Sequence, residues 1–253
     1  MRFGGLGSMR LGKLPSIPWR RFAGELVTII LGVFLALVGQ EWLNDRFERK
    51  QLHFTEQDLR HEVIKSAQSA YMRLAIRDCL RDELANLTAA LNRDGDRWEP
   101  VKRNFANPPI DRALQPVFEA PVRPWNSAAW DTAIASNSLT FMPIERVINY
   151  VHVYEAIEKI RELQNAEFDS GSRLSLLSVP RQIDPRIRAD LLAEVGRVDA
   201  NAALIANISD ALLFEASSLG YVLTAEERAG FVQRVASATK VRGKCVNPPP
   251  LGL

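Results

Sequence analysis

Apolar residues dominate one stretch near the start of this chain and fall into spaced stripes everywhere else. Residues 22–43 read FAGELVTIILGVFLALVGQEWL, preceded by Trp19, Arg20 and Arg21. The uncharged part, 26–40, would be about 22 Å long as a helix at about 1.5 Å per residue. That is short of a roughly 30 Å hydrocarbon core. The distance from Trp19 to Trp42 is about 34 Å, however, and tryptophan favours the two interfacial belts. The pattern therefore predicts a single transmembrane helix over residues 19–43, with Glu25 and Glu41 at its boundaries. Competing readings are a core helix of a soluble protein and a cleaved signal peptide. The second lacks the small-residue cleavage step, because Leu37, Val38 and Gly39 stand where it would be needed.

Beyond the anchor the spacing is that of an all-α protein. Neither glycine nor proline occurs between Gln40's successor and Asp94, which predicts a long helix over 44–97. Leu52, Leu59, Val63, Ala67, Ala70 and Leu74 form one stripe; Ile76, Leu80, Leu84, Leu87 and Leu91 form a second, rotated by roughly a quarter turn. The rotation predicts a bend or a change of packing partner near Leu74–Ile76. Six prolines then mark an irregular, proline-rich connection over 98–126, with Trp98, Phe105, Val117, Phe118 and Trp125 as expected anchors into a core. A helical bundle follows over 127–242. Its parts are a short helix over 127–136, a longer one from Pro143 to about Phe168, one capped by Asp184-Pro185, and a last one opened by Thr224 and Glu227. The second of these is expected to bury Ile144, Val147, Val151, Tyr154, Ile157 and Ile160. The third carries Leu191, Val195, Val198, Ala202, Ile205, Leu212, Ala216 and Leu219 on one stripe. The soluble part is expected to hold about four or five helices. Residues 1–18 read as a disordered cytoplasmic tail, with Met9 an alternative start, and 243–253 as a C-terminal tail.

Charge adds orientation rather than a ligand. A net charge of +2 with 25% charged residues leaves no nucleic-acid footprint, so no nucleic-acid partner is expected. Arg2, Arg10, Lys13, Arg20 and Arg21 precede the span, whereas Arg46, Arg49 and Lys50 follow it. That asymmetry predicts a cytoplasmic N-terminus and an exported, periplasmic C-terminal domain in an inner (cytoplasmic) membrane. Cys79 and Cys245 form a possible disulfide in such an oxidising compartment; two free, buried thiols are the other arrangement.

Catalytic patterns fail on inspection. His61-Glu62 begins a metalloprotease-like helix motif, but Lys65 stands where the second histidine must be. Asp58 with His61, and His152 with Glu155, place pairs of potential ligands one turn apart, yet the first has aspartate where dimetal bundles use glutamate and the second runs in reverse order. No catalytic residue, cofactor or metal is nominated. Within the anchor, Gly24, Thr28, Gly32 and Ala36 recur every four residues, with Glu25 beside them. Such a stripe lets helix backbones approach closely and predicts a homo-oligomer or a partner membrane helix, with the lipid bilayer as the surrounding medium.

The residues Glu25, Leu26, Ile29, Gly32, Leu35, Ala36, Leu37, Gln40 and Trp42 resemble the anchor of a family of bacterial single-pass membrane proteins without assigned activity. A second similarity lies around Trp130, Ser136 and Leu139, followed by Tyr150 and Tyr154. The resemblance is specific over roughly residues 22–50, loose over 127–160 and absent over 178–253. It implies an N-terminal anchor with a helical soluble domain, and no catalytic residues. The functional expectation is a membrane-anchored interaction or scaffold protein. A sensor-type module signalling through a partner is the alternative, and a metal-dependent enzyme a weaker one.

Overall fold

A computed structural model of the chain describes residues 19–93, 95–101, 117–118 and 121–251, with the side chains of 19–23 and 45 excepted. The expected tail over 1–18 and the middle of the proline-rich connection, including Phe105, lie outside the described residues. The described chain is all-α. Its helices are α1 (Trp19–Ala75), α2 (Arg77–Leu91), α3 (Ala128–Ala135), α4 (Ile144–Arg173), α5 (Pro185–Ser218) and α6 (Ala225–Arg242). Two compact units divide it, Met1–Lys50 and Gln51–Leu253, and α1 contributes residues to both.

In the first unit the described apolar side chains of α1 are exposed. Residues 24–43 are all exposed, Leu35 for instance to 67%. The helix beginning at Gly24 is long and apolar enough to cross a membrane, with a mean hydropathy of 2.0 over its best window. The Thr28 hydroxyl donates to the Gly24 carbonyl at 2.9 Å, so its polar group is satisfied within the helix.

The second unit buries two apolar clusters. Leu59, Val63, Ala67 and Ala70 of α1 join Tyr150, Tyr154, Ile157 and Ile160 of α4 and Ile205, Leu212 and Ala216 of α5 in the first. Met72 and Ile76 join Leu80, Leu84, Leu87 and Leu91 of α2 with Leu191, Val195 and Val198 of α5 in the second. The long helix expected over 44–97 is therefore broken at Ile76. The two stripes read from the sequence belong to separate helices that face separate clusters, and the break supplies the rotation between them. α5 runs along both clusters and packs most extensively on α4. Each fully buried Leu or Ile on these faces contributes about 1.5–3 kcal/mol relative to exposure.

Local chemistry sets the element boundaries. Asp184 accepts from the Ile187 amide at 2.8 Å ahead of Pro185, which opens α5. Thr224 and Glu227 make both bonds of a capping box at the start of α6. The end of α2 and the turn after it are fastened by Arg188, whose guanidinium donates to the carbonyls of Leu91, Arg93 and Gly95. Two differences from the sequence expectation stand out. Ile144, expected on the buried stripe of α4, is 64% exposed in the first turn of that helix, and the stripe is fully buried only from Tyr154 onward. The proline-rich connection is also tied by a short antiparallel bridge, β1 (Arg97–Trp98) with β2 (Arg181–Gln182). Trp98 is buried there and donates to the Leu177 carbonyl at 2.8 Å; Val117, Phe118 and Trp125 are buried as well.

Candidate functional site

A set of polar and aromatic side chains meets in the second unit, where α1, α3, α4 and the α5–α6 turn converge. Trp130 of α3 stacks on Tyr154 of α4, with ring centroids 4.9 Å apart and an interplanar angle of 13°. Trp130 also leans on Tyr150 at 6.3 Å, and the Tyr150 hydroxyl is hydrogen-bonded to that of Tyr221. The Tyr221 ring faces two guanidinium groups, Arg60 at 5.6 Å and Arg146 at 5.9 Å. Arg60 in turn grips Glu227 with two bonds of 2.7 and 2.9 Å and donates to the Val222 carbonyl at 3.1 Å. Glu62 accepts from the Ala129 amide at 3.1 Å, which places a carboxylate on the N-terminal turn of α3.

These environments fix the protonation states. Burial, then the Glu62 carboxylate, pushes the Tyr154 phenol far above its ordinary range. Burial and the bond with Tyr221 do the same to Tyr150. The bonds from Arg60, reinforced by Thr224 against the opposing effect of burial, hold Glu227 down at about 2. A phenol held neutral donates hydrogen bonds and does not act as a base or nucleophile at neutral pH. The arrangement positions elements against one another.

A second polar group bridges the two apolar clusters. Arg73 of α1 and Glu167 of α4 form a hydrogen-bonded ion pair with side chains only 2% and 0% exposed. Burial raises the Glu167 carboxyl above its ordinary range although Arg73 pulls it back. Nearby, the Gln164 amide oxygen accepts from the Arg123 backbone at 2.8 Å and from the Trp125 indole at 3.0 Å.

No family model, curated protein or solved structure matches this chain.

Among the residues singled out in the sequence, Gly24, Glu25, Thr28, Gly32 and Ala36 are all exposed on α1, with open space where a Cβ would sit on Gly24 or Gly32. Cys79 and Cys245 are bonded to each other, with Cα atoms 4.9 Å apart. Asp58 with His61, and His152 with Glu155, are exposed pairs; His152 instead lies 3.7 Å from Glu215. No group of three or more potential metal ligands converges among the described residues. Trp130, Tyr150 and Tyr154 meet, with Trp130 stacked on Tyr154 and tilted against Tyr150. Arg60, Arg146 and Tyr221 were not singled out, because their meeting joins segments up to 161 positions apart and leaves no local period. The capping box at Thr224 was the nearest sequence signal, since Glu227 serves both it and Arg60.

Proposed function

We propose that this chain is a membrane-anchored, non-enzymatic interaction or scaffold protein whose N-terminal helix sits in a bilayer and whose helical unit lies outside the cytoplasm. One observation carries the reading: a largely apolar helical surface over residues 26–39, with Thr28 its one polar side chain, exposed throughout. A surface of that extent is not stable in water and calls for lipid or a partner. Ten strongly apolar side chains in it favour insertion by about 3–6 kcal/mol in sum. The Cys79–Cys245 bond supports an oxidising compartment, and the excess of basic residues before the span supports a cytoplasmic N-terminus. The resemblance over residues 22–50 points to the same architecture. The small-residue stripe Gly24, Thr28, Gly32 and Ala36, with Glu25 beside it, is the face offered to a second copy or another membrane helix.

The test is made on the intact protein in native membranes. Resistance to alkaline carbonate extraction, together with one discrete crosslinked species formed in the bilayer, is the expected result. Extraction into the aqueous phase, or a protein that remains monomeric at saturating crosslinker, overturns the proposal.

A further inference from the structure

The C-terminal tail is fastened across the joint between α1 and α2. After α6 the chain turns at Gly243, whose φ of +78° suits a residue without a side chain, into a short 3-10 turn ending at Cys245. From there it passes over the joint with a contact at almost every step. Cys245 is bonded to Cys79 of α2, and Val246 packs on the second apolar cluster. The Asn247 amide donates to the Ala75 carbonyl at 2.8 Å. In an unbroken helix that carbonyl would accept from residue 79; the break at Ile76 releases it, and the tail takes it up. Farther on, the Tyr71 hydroxyl donates to the Pro249 carbonyl at 3.0 Å, and Leu251 packs on the first cluster. Prolines at 248–250 stiffen this stretch, so little chain entropy is lost in laying it down. The tail thus ties the two clusters at the one point where the helix between them is interrupted.

The two sulfurs are not equally reachable. Cys79 is 2% exposed, whereas Cys245 is only half-buried and sits in the tail itself. We propose that the segment 243–251 is a redox-released strap: a dithiol reductant attacking Cys245 frees the tail and loosens the α1–α2 joint. In the first step a reductant thiolate bonds to the Cys245 sulfur, the Cys79–Cys245 bond breaks, and Cys79 leaves as a thiolate that takes up a proton. In the second, the other thiol of the reductant, as thiolate, attacks the reductant sulfur of the mixed disulfide. Cys245 then leaves as a thiolate and is protonated. Two electrons pass to the protein, which gains two thiols, and the reductant ends as a cyclic disulfide. What remains is two hydrogen bonds and two apolar side chains at the end of a free chain, a set drawn from the low-stability end of local opening.

Hydrogen exchange on the full-length protein in detergent micelles tests this, with excess dithiothreitol as the reductant and thiol alkylation as the check that the bond has opened. In the first minutes of exchange, amides 244–247 and 76–80 are expected to exchange about tenfold or more faster on reduction, while peptides from α4 and α5, which exchange only through global opening, stay protected over that time. Unchanged rates at 244–247 in protein with two alkylatable thiols overturn the proposal. So does equal acceleration in α4 and α5, which would make the bond a support of the whole unit rather than of a strap. Tyr71→Phe keeps the ring and the disulfide but removes the bond to Pro249. It is expected to leave the oxidised tail protected and to speed exchange beyond the unsubstituted protein only after reduction. Release of the tail in oxidised Tyr71→Phe would contradict the role given to the disulfide.

Discussion

Replacing Arg73 by methionine removes the cation from a pair that water does not reach. Arg73 is 2% and Glu167 0% exposed, and one Glu167 oxygen is buried without a partner even when Arg73 is present. Burial already holds the Glu167 carboxyl above its ordinary range in the intact pair, so loss of Arg73 pushes it higher still. Breaking a buried pair by removing one partner costs about 3–5 kcal/mol, since the remaining charge is left uncompensated. Arg73→Met is therefore expected to lose stability in that range. In Arg73→Met/Glu167→Leu, which leaves no buried charge, stability is expected to return to within about 1 kcal/mol of the starting protein.

A pH signature separates this cause from lost packing. A carboxyl whose folded pKa lies above its unfolded value stabilises the fold below the unfolded pKa, and that contribution is lost as pH rises through the folded one. Arg73→Met is thus expected to be less destabilised at mildly acidic than at alkaline pH, while the double variant shows no such slope. Urea denaturation followed by circular dichroism in detergent, for the starting protein, Arg73→Met, Glu167→Leu and the double variant at two pH values, completes the cycle. A loss of less than about 1 kcal/mol in Arg73→Met, with no pH dependence, would refute the claim that the pair is desolvated.

Three other outcomes follow from the same geometry. Glu227 is held at about 2 chiefly by Arg60, so its contribution is present above the ordinary carboxylate range and is lost as pH falls from about 4.5 to about 2. With Arg60 30% exposed, screening limits this to about 1–2 kcal/mol; acid titration of Glu227→Gln should lack that step. The disulfide closes a separation of 166 residues, worth up to about 5 kcal/mol in the chain-entropy account. Cys245→Ser should accordingly lower the urea midpoint of unreduced protein and make it insensitive to reductant. Gly32→Leu or Ala36→Leu should abolish self-association in a membrane reporter without reducing insertion, and Glu25→Gln tests the adjoining carboxylate; association no better than a scrambled apolar segment would dismiss the stripe.

Much of the fold was legible because helical burial writes its period into the chain. The two stripes ending at Leu74 and beginning at Ile76 located the joint between α1 and α2 without any long-range information. Asp184-Pro185 and Thr224 with Glu227 gave α5 and α6 their starts, because capping involves residues only three apart. The β1–β2 bridge was not legible, since two-residue strands carry no period and their pairing spans more than eighty positions. Nor was Arg188 as the cap of α2, or Arg60 and Arg146 on Tyr221: guanidinium groups on helix surfaces look alike in sequence, and only the tertiary fold decides which ones turn inward. Ile144 misled for the opposite reason, because an apolar residue in a first turn fits the stripe whether or not a neighbour covers it.

Site-directed labelling in intact cells tests the membrane account most directly. Single cysteines introduced at Ser8, before the span, and at the exposed Ser237 of α6 leave the native Cys79–Cys245 pair in place. With a membrane-impermeant maleimide, the account predicts labelling at residue 237 in intact cells and at residue 8 only after permeabilisation. Labelling at residue 8 but not at 237, or recovery of the protein in the soluble fraction, would contradict it.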